Sequence, residues 1–150
     1  MSNYTVAVMQ AAGIQPATML TDLTSGYQML DYTIDGSKKA IATADTYEIW
    51  TFPALTAVNI KAAAITVVKA GTASGAPAVQ LVATSVTGLT AWDSAATDGT
   101  QLIKFATVGS TTFIVNTTAT VIRMLQSTAG LGAGVLRVRI WLEYYVAPPA

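Results

Sequence analysis

The feature that most constrains the fold is a strict alternation of apolar residues near the C-terminus, in VLRVRIWLEYYV, residues 135–146. Successive side chains of a β-strand point to opposite faces, so residues two apart share a face. The apolar row consists of Leu136, Val138, Ile140, Leu142, Tyr144 and Val146. The pattern predicts a strand of about twelve residues that buries this row. A strand much longer than the usual five or six residues is expected to reach past its own sheet or to cross a whole sandwich.

Shorter segments that alternate and are rich in β-branched residues recur along the chain, separated by turns that contain Gly, Pro and Asp. They predict strands over residues 4–9, Tyr27–Ile34, Thr46–Phe52, Ala57–Ala70, Ala78–Thr84, Gln101–Val108, Thr112–Asn116 and Ala119–Gln126. The segment SKKAIATAD, residues 37–45, favours a short helix or an ordered loop. Many short strands with almost no helix indicate an all-β chain, an antiparallel sandwich or barrel.

The longest apolar run, Ala57–Ala70, changes phase along its length. Val58 and Ile60 fall on one face of an ideal strand, whereas Ile65 and Val67 fall on the other. A β-bulge or bend near Ala62–Ala64 explains the change, and so does a strand buried on both faces.

The domain organisation follows from chain length and from where the long strands begin. A chain of 150 residues is long enough to form one domain with its own core. We predict that residues 1–45 form an N-terminal arm or extension, which packs on the body or on a neighbouring subunit. Residues 46–150 are then the β-sandwich body.

The low charge content bears on association. Charged residues are 11% of the chain and its formal net charge is zero, whereas about 25% is usual for a soluble domain. Few charges and no net charge favour association over mutual repulsion. We therefore expect a homo-oligomer whose surface is largely covered by neighbours. The alternative is a neutral, Thr-rich β domain that stays monomeric.

The residue inventory excludes most catalytic chemistry. The chain has no histidine and no cysteine, so thiol nucleophiles, histidine-dependent triads and histidine-ligated zinc are impossible. Two carboxylate pairs remain, Asp31 with Asp35 and Asp93 with Asp98, but Asp35 and Asp98 each precede a glycine and are better explained as turn residues. We predict no enzymatic activity, no catalytic residues, no cofactor and no metal site.

One loop could still bind a ligand. Trp92 and Asp93 lie in a stretch rich in Gly, Thr and Ser, where they could form a sugar platform or, with Asp98, part of a calcium site. The alternative is an ordinary loop whose tryptophan packs back onto the core.

Nucleic acid and membrane are not expected partners. The eight basic residues are scattered and balanced by eight acidic ones, whereas nucleic-acid binding needs a concentrated basic surface. No stretch reaches the roughly 18 apolar residues of a transmembrane helix. The N-terminal residues lack a basic region followed by a long apolar run, so we expect no secretory signal.

The second row of the C-terminal strand is the candidate site. Arg137, Arg139, Trp141, Glu143 and Tyr145 share one face, and interface cores are enriched in Trp, Tyr and Arg. We predict that this face contacts another subunit. In the alternative it faces water, the arginine stems cover apolar surface, and Glu143 pairs with a cross-strand Lys or Arg.

The chain resembles small β-rich virion proteins of tailed bacteriophages, such as capsid decoration (cement) proteins and tail components. The resemblance rests on the start MSNYTVAVMQ, the absence of Cys and His, the small-residue loops GTASGAP and TAGLGAG, and the strand VLRVRIWLEYYV. It implies a β-sandwich of jelly-roll type, often trimeric, that binds a capsid lattice and strengthens it. An N-terminal arm would tie subunits together. No functional residue carries over, because none of these features is a motif.

These observations lead to the prediction of a virion structural protein, a decoration protein that stabilises the assembled phage head as a symmetric oligomer. Its partners would be other copies of itself and the major capsid protein or other virion proteins, and its location would be the virion. Two alternatives remain open: a tail, fibre or receptor-binding subunit, and a non-viral carbohydrate-binding module.

Overall fold

The computed structural model describes residues 3–40, 45–69, 76–82, 101–105, 113–115, 120–127 and 132–146. Within these ranges the chain is built almost entirely from β-strands, so the all-β prediction is confirmed. In chain order the elements are β1 (Asn3–Tyr4), α1 (Val6–Ala11), β2 (Thr18–Thr21), β3 (Gln28–Asp35), β4 (Thr46–Phe52), β5 (Thr56–Lys69), β6 (Ala76–Val82), β7 (Gln101–Phe105), β8 (Phe113–Val115), β9 (Thr120–Ser127) and β10 (Val135–Val146).

The described strands form two sheets. The four-stranded sheet has the order β1-β4-β9-β6, and the six-stranded sheet has the order β2-β3-β10-β5-β7, with β8 also pairing with β5. The β1–β4 pair is parallel, and every other described pair is antiparallel. No helix in the described ranges is long and apolar enough to cross a membrane.

The C-terminal strand is confirmed as β10, twelve residues long. It lies inside the six-stranded sheet and pairs with β3 on one side and with β5 along its whole length on the other. Leu136, Val138, Ile140 and Leu142 are buried, as the alternation predicts. Burial of each such side chain stabilises the fold by about 1.5–3 kcal/mol.

A single core cluster joins the two sheets. The four-stranded sheet contributes Tyr47, Ile49 and Phe52 from β4 and Ile122 and Met124 from β9. These residues belong to the same cluster as the buried row of β10 and the inward residues of β3 and β5. Each sheet therefore buries the apolar face of the other.

The phase change in β5 is a β-bulge, one residue before the predicted position. The β10–β5 register passes from Leu142↔Ile60 to Trp141↔Ala62, so Lys61 is the extra residue between these two register pairs. Beyond the bulge, position 65 stands opposite Val138 of the core row. The extra residue therefore keeps both halves of the apolar run in phase with β10.

The predicted strand over residues 4–9 is wrong. Only Asn3 and Tyr4 are strand, and α1 follows from Val6. Thr5 caps this helix, because its side chain accepts a hydrogen bond from the Val8 backbone N–H at 3.3 Å. Met9 is fully buried in the core cluster, whereas Val8 is 44% exposed. The side chain of Met9 therefore anchors α1 to the core.

Residues 1–45, which we predict as an N-terminal arm or extension, include strands of the six-stranded sheet. β3 lies between β2 and β10 in this sheet, and its Leu30, Tyr32 and Ile34 are buried. β2 pairs with β3 and continues the same sheet.

A close backbone contact fixes the turn after β3 against the loop before β10. The Gly36 N–H donates to the carbonyl oxygen of Gly134 at 2.8 Å. A Cβ atom at Gly36 would overlap the carbonyl oxygens of Gly132 and Gly134 and lie 3.0 Å from the Ala133 carbonyl carbon. Only glycine allows these two segments to approach so closely.

We predict that Gly36→Ala lowers the free energy of unfolding by about 2–3 kcal/mol, because the methyl group must push one backbone segment away. Urea denaturation measures the change. Gly26→Ala is the control, since the same methyl group meets nothing within 4 Å there. Gly26→Ala should lower the free energy of unfolding by about 1 kcal/mol, because only the positive φ of Gly26 disfavours alanine there. Equal losses in the two variants would contradict the contact.

Candidate functional site

The residues predicted as an interface lie together on one surface of the six-stranded sheet. Arg137, Arg139, Trp141, Glu143 and Tyr145 alternate along β10 with the buried row, so they occupy the opposite side of the sheet. We call this side the outer face. Tyr145 is 58% exposed, and the other four side chains are intermediate in exposure.

Arg137 is held by Asp31 of β3. Its Nε donates to Asp31 Oδ1 at 3.0 Å and its Nη2 to Asp31 Oδ2 at 2.7 Å. This two-pronged geometry suits a planar guanidinium and a carboxylate. The hydrogen bonds to Asp31 raise the pKa of the Arg137 guanidinium above its ordinary value. The pair therefore fixes the direction of a long side chain on a half-exposed surface.

Glu143 is the centre of a second cluster. Lys61 Nζ lies 3.0 Å from Glu143 Oε1, the Tyr145 hydroxyl donates to Oε2 at 3.1 Å, and Asn59 Nδ2 donates to Oε1 at 3.4 Å. The hydrogen bond from Lys61 is the main reason why the pKa of Glu143 is lowered. The same bond raises the pKa of Lys61. Because Lys61 is the bulged residue, the bulge that corrects the phase of β5 also supplies this ion pair.

Trp141 is tied to the hairpin between β2 and β3. Its Nε1–H donates to Asp22 Oδ2 at 2.8 Å. Asp22 also accepts hydrogen bonds from the Ser25 hydroxyl at 2.9 Å and from the Thr24 backbone N–H at 3.0 Å. The bonds from Ser25, Trp141 and Thr24, in that order, lower the pKa of Asp22. On the other flank, the Arg139 guanidinium lies 5.6 Å from the centre of the Trp141 ring.

An apolar row crosses the outer face at Trp141. The register places Leu20 of β2 opposite Met29 of β3, Met29 opposite Trp141, and Trp141 opposite Ala62 of β5. We call Leu20, Met29, Trp141 and Ala62 the apolar row. Ala62 is buried although it is not part of the core cluster, and so is the next outer residue of β5, Ala64. Small residues on β5 thus leave room for the large side chains of β10.

Two acidic residues of the outer face, Asp31 and Glu143, form ion pairs within the chain. The described residues contain no group of three or more potential metal ligands among His, Cys, Asp and Glu. Asp35 accepts from the Ser37 backbone N–H at 3.0 Å and from its hydroxyl, so it serves the turn. Asp31 pairs with Arg137, and Asp31 and Asp35 both line one cleft.

The partners of the predicted residues could not be read from the sequence. Asp22, Asp31 and Lys61 are far from residues 137–145 along the chain, and only the strand order brings them together. Trp92, Asp93 and Asp98, the residues of the possible sugar or calcium loop, lie outside the described residues.

No family model matches the chain, and no curated protein sequence matches it. Among solved structures, it is similar to a chain of the capsid of Ralstonia phage GP4, with a TM-score of 0.54 and 13% identity over 82% of this chain and 86% of that one. A chain of infectious bursal disease virus, Gx strain, gives a TM-score of 0.37 and 14% identity over 91% of this chain and 43% of that one. The likeness to the phage GP4 chain shows a shared fold that spans most of both chains.

We predict that Asp22 titrates below its ordinary value of 3.8, because three hydrogen bonds favour the carboxylate. Since the folded-state pKa is depressed, the stabilising effect is present above pH 3.8 and is lost as the pH falls through the folded-state value. Carbon-13 NMR of the carboxyl group measures this titration. In Trp141→Phe, which removes one donor, the pKa should move back toward 3.8. A wild-type value at or above 3.8 would contradict the hydrogen-bond network.

Proposed function

We propose that this chain is a virion structural protein without enzymatic activity, and specifically a decoration (cement) protein that binds and stabilises an assembled phage head. One observation carries the proposal. The fold spans most of a chain from the capsid of Ralstonia phage GP4, and that likeness covers 82% of this chain. The partners are further copies of this chain, as a symmetric oligomer with a trimer favoured, and the major capsid protein or another virion protein.

A β-sandwich of jelly-roll type is the fold that we propose for this role. Two features support it: the two described sheets share one core cluster, and each contributes large buried side chains to it. Sheets that bury each other's apolar faces leave their outer faces and edges available for contacts with neighbours. Such a body can bind a lattice without rearranging its core.

The mechanism is thermodynamic. A protein that binds the assembled shell but not the separated shell subunits stabilises the shell by mass action. At a free concentration one hundred times the dissociation constant, the gain is about 2.7 kcal/mol for each site. This gain is summed over the many equivalent sites of a shell, so a moderate affinity at each site is sufficient to stabilise the shell. No chemical step is needed.

We propose that the outer face is the contact surface. Arg137, Trp141 and Tyr145 are of the residue types that dominate interface energetics. Asp31 already neutralises Arg137, and Lys61 already neutralises Glu143. A neighbour that covers these two pairs buries charges that already have partners, which lowers the desolvation penalty at those positions. A partner with no net charge, such as a second copy of this chain, fits such a surface.

The role on the head is tested by deleting the gene from a phage that encodes the chain. We expect particles that still assemble but release their DNA at a lower temperature, and purified chain added back should restore the heat resistance. Thermal release assays and electron microscopy measure both effects. Particles that lose their tails or fail to adsorb would instead support the tail or receptor-binding alternative. Unchanged heat resistance would exclude the decoration role.

The outer face is tested by the native mass of variants in light scattering. We expect Arg137→Ala combined with Tyr145→Ala to raise the dissociation constant of the oligomer about tenfold or more, as expected when interface anchors are removed. Gln10→Ala, an exposed change on α1, is the control and should leave the mass unchanged. If both proteins keep the wild-type mass at every concentration, the outer face is not the subunit interface.

A further inference from the structure

Among the described strands, β2 lies at the edge of the six-stranded sheet. It pairs with β3 on one side, and among the described residues no strand pairs with its other side. Its sequence, Thr18-Met19-Leu20-Thr21, has no charge and no proline. Natural edge strands usually carry such features because they prevent pairing with other chains. Leu20 is 53% exposed, so the edge is apolar as well as open.

The backbone groups that point outward can be assigned from one hydrogen bond. The Asp22 N–H donates to the Tyr27 carbonyl oxygen at 2.8 Å, and Asp22 stands opposite Tyr27 when the β2–β3 register is continued by one pair. In an antiparallel ladder, hydrogen-bonded and non-hydrogen-bonded pairs alternate. Leu20 therefore bonds to β3, whereas Met19 and Thr21 direct their N–H and C=O groups away from the sheet.

We infer that β2 pairs antiparallel with β2 of a second copy of this chain across a two-fold axis at Leu20. In that register Met19 stands opposite Thr21 of the partner subunit, so the outward N–H and C=O groups of both residues bond reciprocally. Leu20 stands opposite Leu20 of the partner subunit, in a pair with a Cα–Cα distance of about 4.5 Å. The same two contacts are made twice because the interface is symmetric.

Two observations favour a second copy as the occupant. In this register Asp22 stands opposite Thr18 of the partner subunit, so no like charges meet. The apolar row on the outer face ends at Leu20, the residue on the axis. Pairing at the axis joins the apolar rows of the two subunits into one continuous row and covers the exposed half of Leu20. A charged or strongly polar partner strand would gain nothing from that row.

This contact goes beyond the proposed function and does not depend on it. A two-fold edge contact can link two symmetric oligomers on a lattice, but self-pairing at β2 would occur in any role of the chain. A failure of the virion experiment leaves the edge contact untouched. A failure of the edge contact leaves the decoration role untouched.

The absence of cysteine from the chain makes a direct test possible. In Leu20→Cys, the two sulfurs lie across the axis from each other, at a Cα–Cα distance within the range of disulfides. We expect mild oxidation of the purified full-length variant to convert it to a covalent dimer. Non-reducing gel electrophoresis follows the rate. The reaction should be about tenfold or more faster than in the controls, since pairing raises the effective thiol concentration.

Two single-cysteine variants control for random collision. Thr18→Cys is on the same strand, and the inferred register separates its two copies by about 13 Å. Leu23→Cys replaces a side chain that is 92% exposed, and its two copies lie about 20 Å apart. If Leu20→Cys is oxidised to dimer no faster than Leu23→Cys, the inferred pairing is wrong.

A proline substitution tests the same contact through the backbone. Thr21→Pro removes an outward N–H without removing a hydrogen bond between β2 and β3. We expect it to keep the wild-type circular dichroism spectrum and, combined with Leu20→Cys, to slow covalent dimer formation to the rate of Leu23→Cys. An unchanged rate in a folded Thr21→Pro protein would overturn the assignment of the edge.

Discussion

The pairing of β10 with β3 and β5 is the constraint on which the rest of the structure depends. This strand pairs with β5 along its whole length and with β3 over Val135–Leu142, so distant segments of the chain hydrogen-bond to both of its edges. Its buried row contributes Leu136, Val138, Ile140 and Leu142 to the core shared with the second sheet. The same strand presents the candidate site on its other side. One row of β10 side chains therefore builds the core, and the other row of the same strand forms the candidate site.

The bulge at Lys61 connects these two tasks. Without an extra residue, the apolar run of β5 would lose its phase against β10 midway along the pair. With it, the run keeps its phase, and a lysine gains an acidic partner at Glu143. A correction required by packing thus creates an ion pair of the outer face. Charges that are already paired inside the chain can be covered by a neighbour without matched charges on that neighbour.

Sequence reasoning succeeded where a pattern repeats over many residues and failed where a single contact decides. The alternation in β10 predicted that strand and its buried residues Leu136, Val138, Ile140 and Leu142, and the pattern of Thr46–Phe52 predicted β4. Alternation over residues 4–9 predicted a strand wrongly, because the Thr5 cap and the burial of Met9 favour a short helix there. β2 was not predicted, since four residues are too few for a period to stand out and β3 supplies its stability.

The sequence by itself determined that the chain is all-β, that one face of its last strand is apolar and that Arg137, Arg139, Trp141, Glu143 and Tyr145 share the other. Side-chain alternation is a local property of an extended backbone, so it can be read residue by residue. Only the tertiary structure decided which strands lie beside β10. Strand order depends on packing between distant segments, and it alone brought Asp31, Asp22 and Lys61 to the outer face and left β2 at the edge.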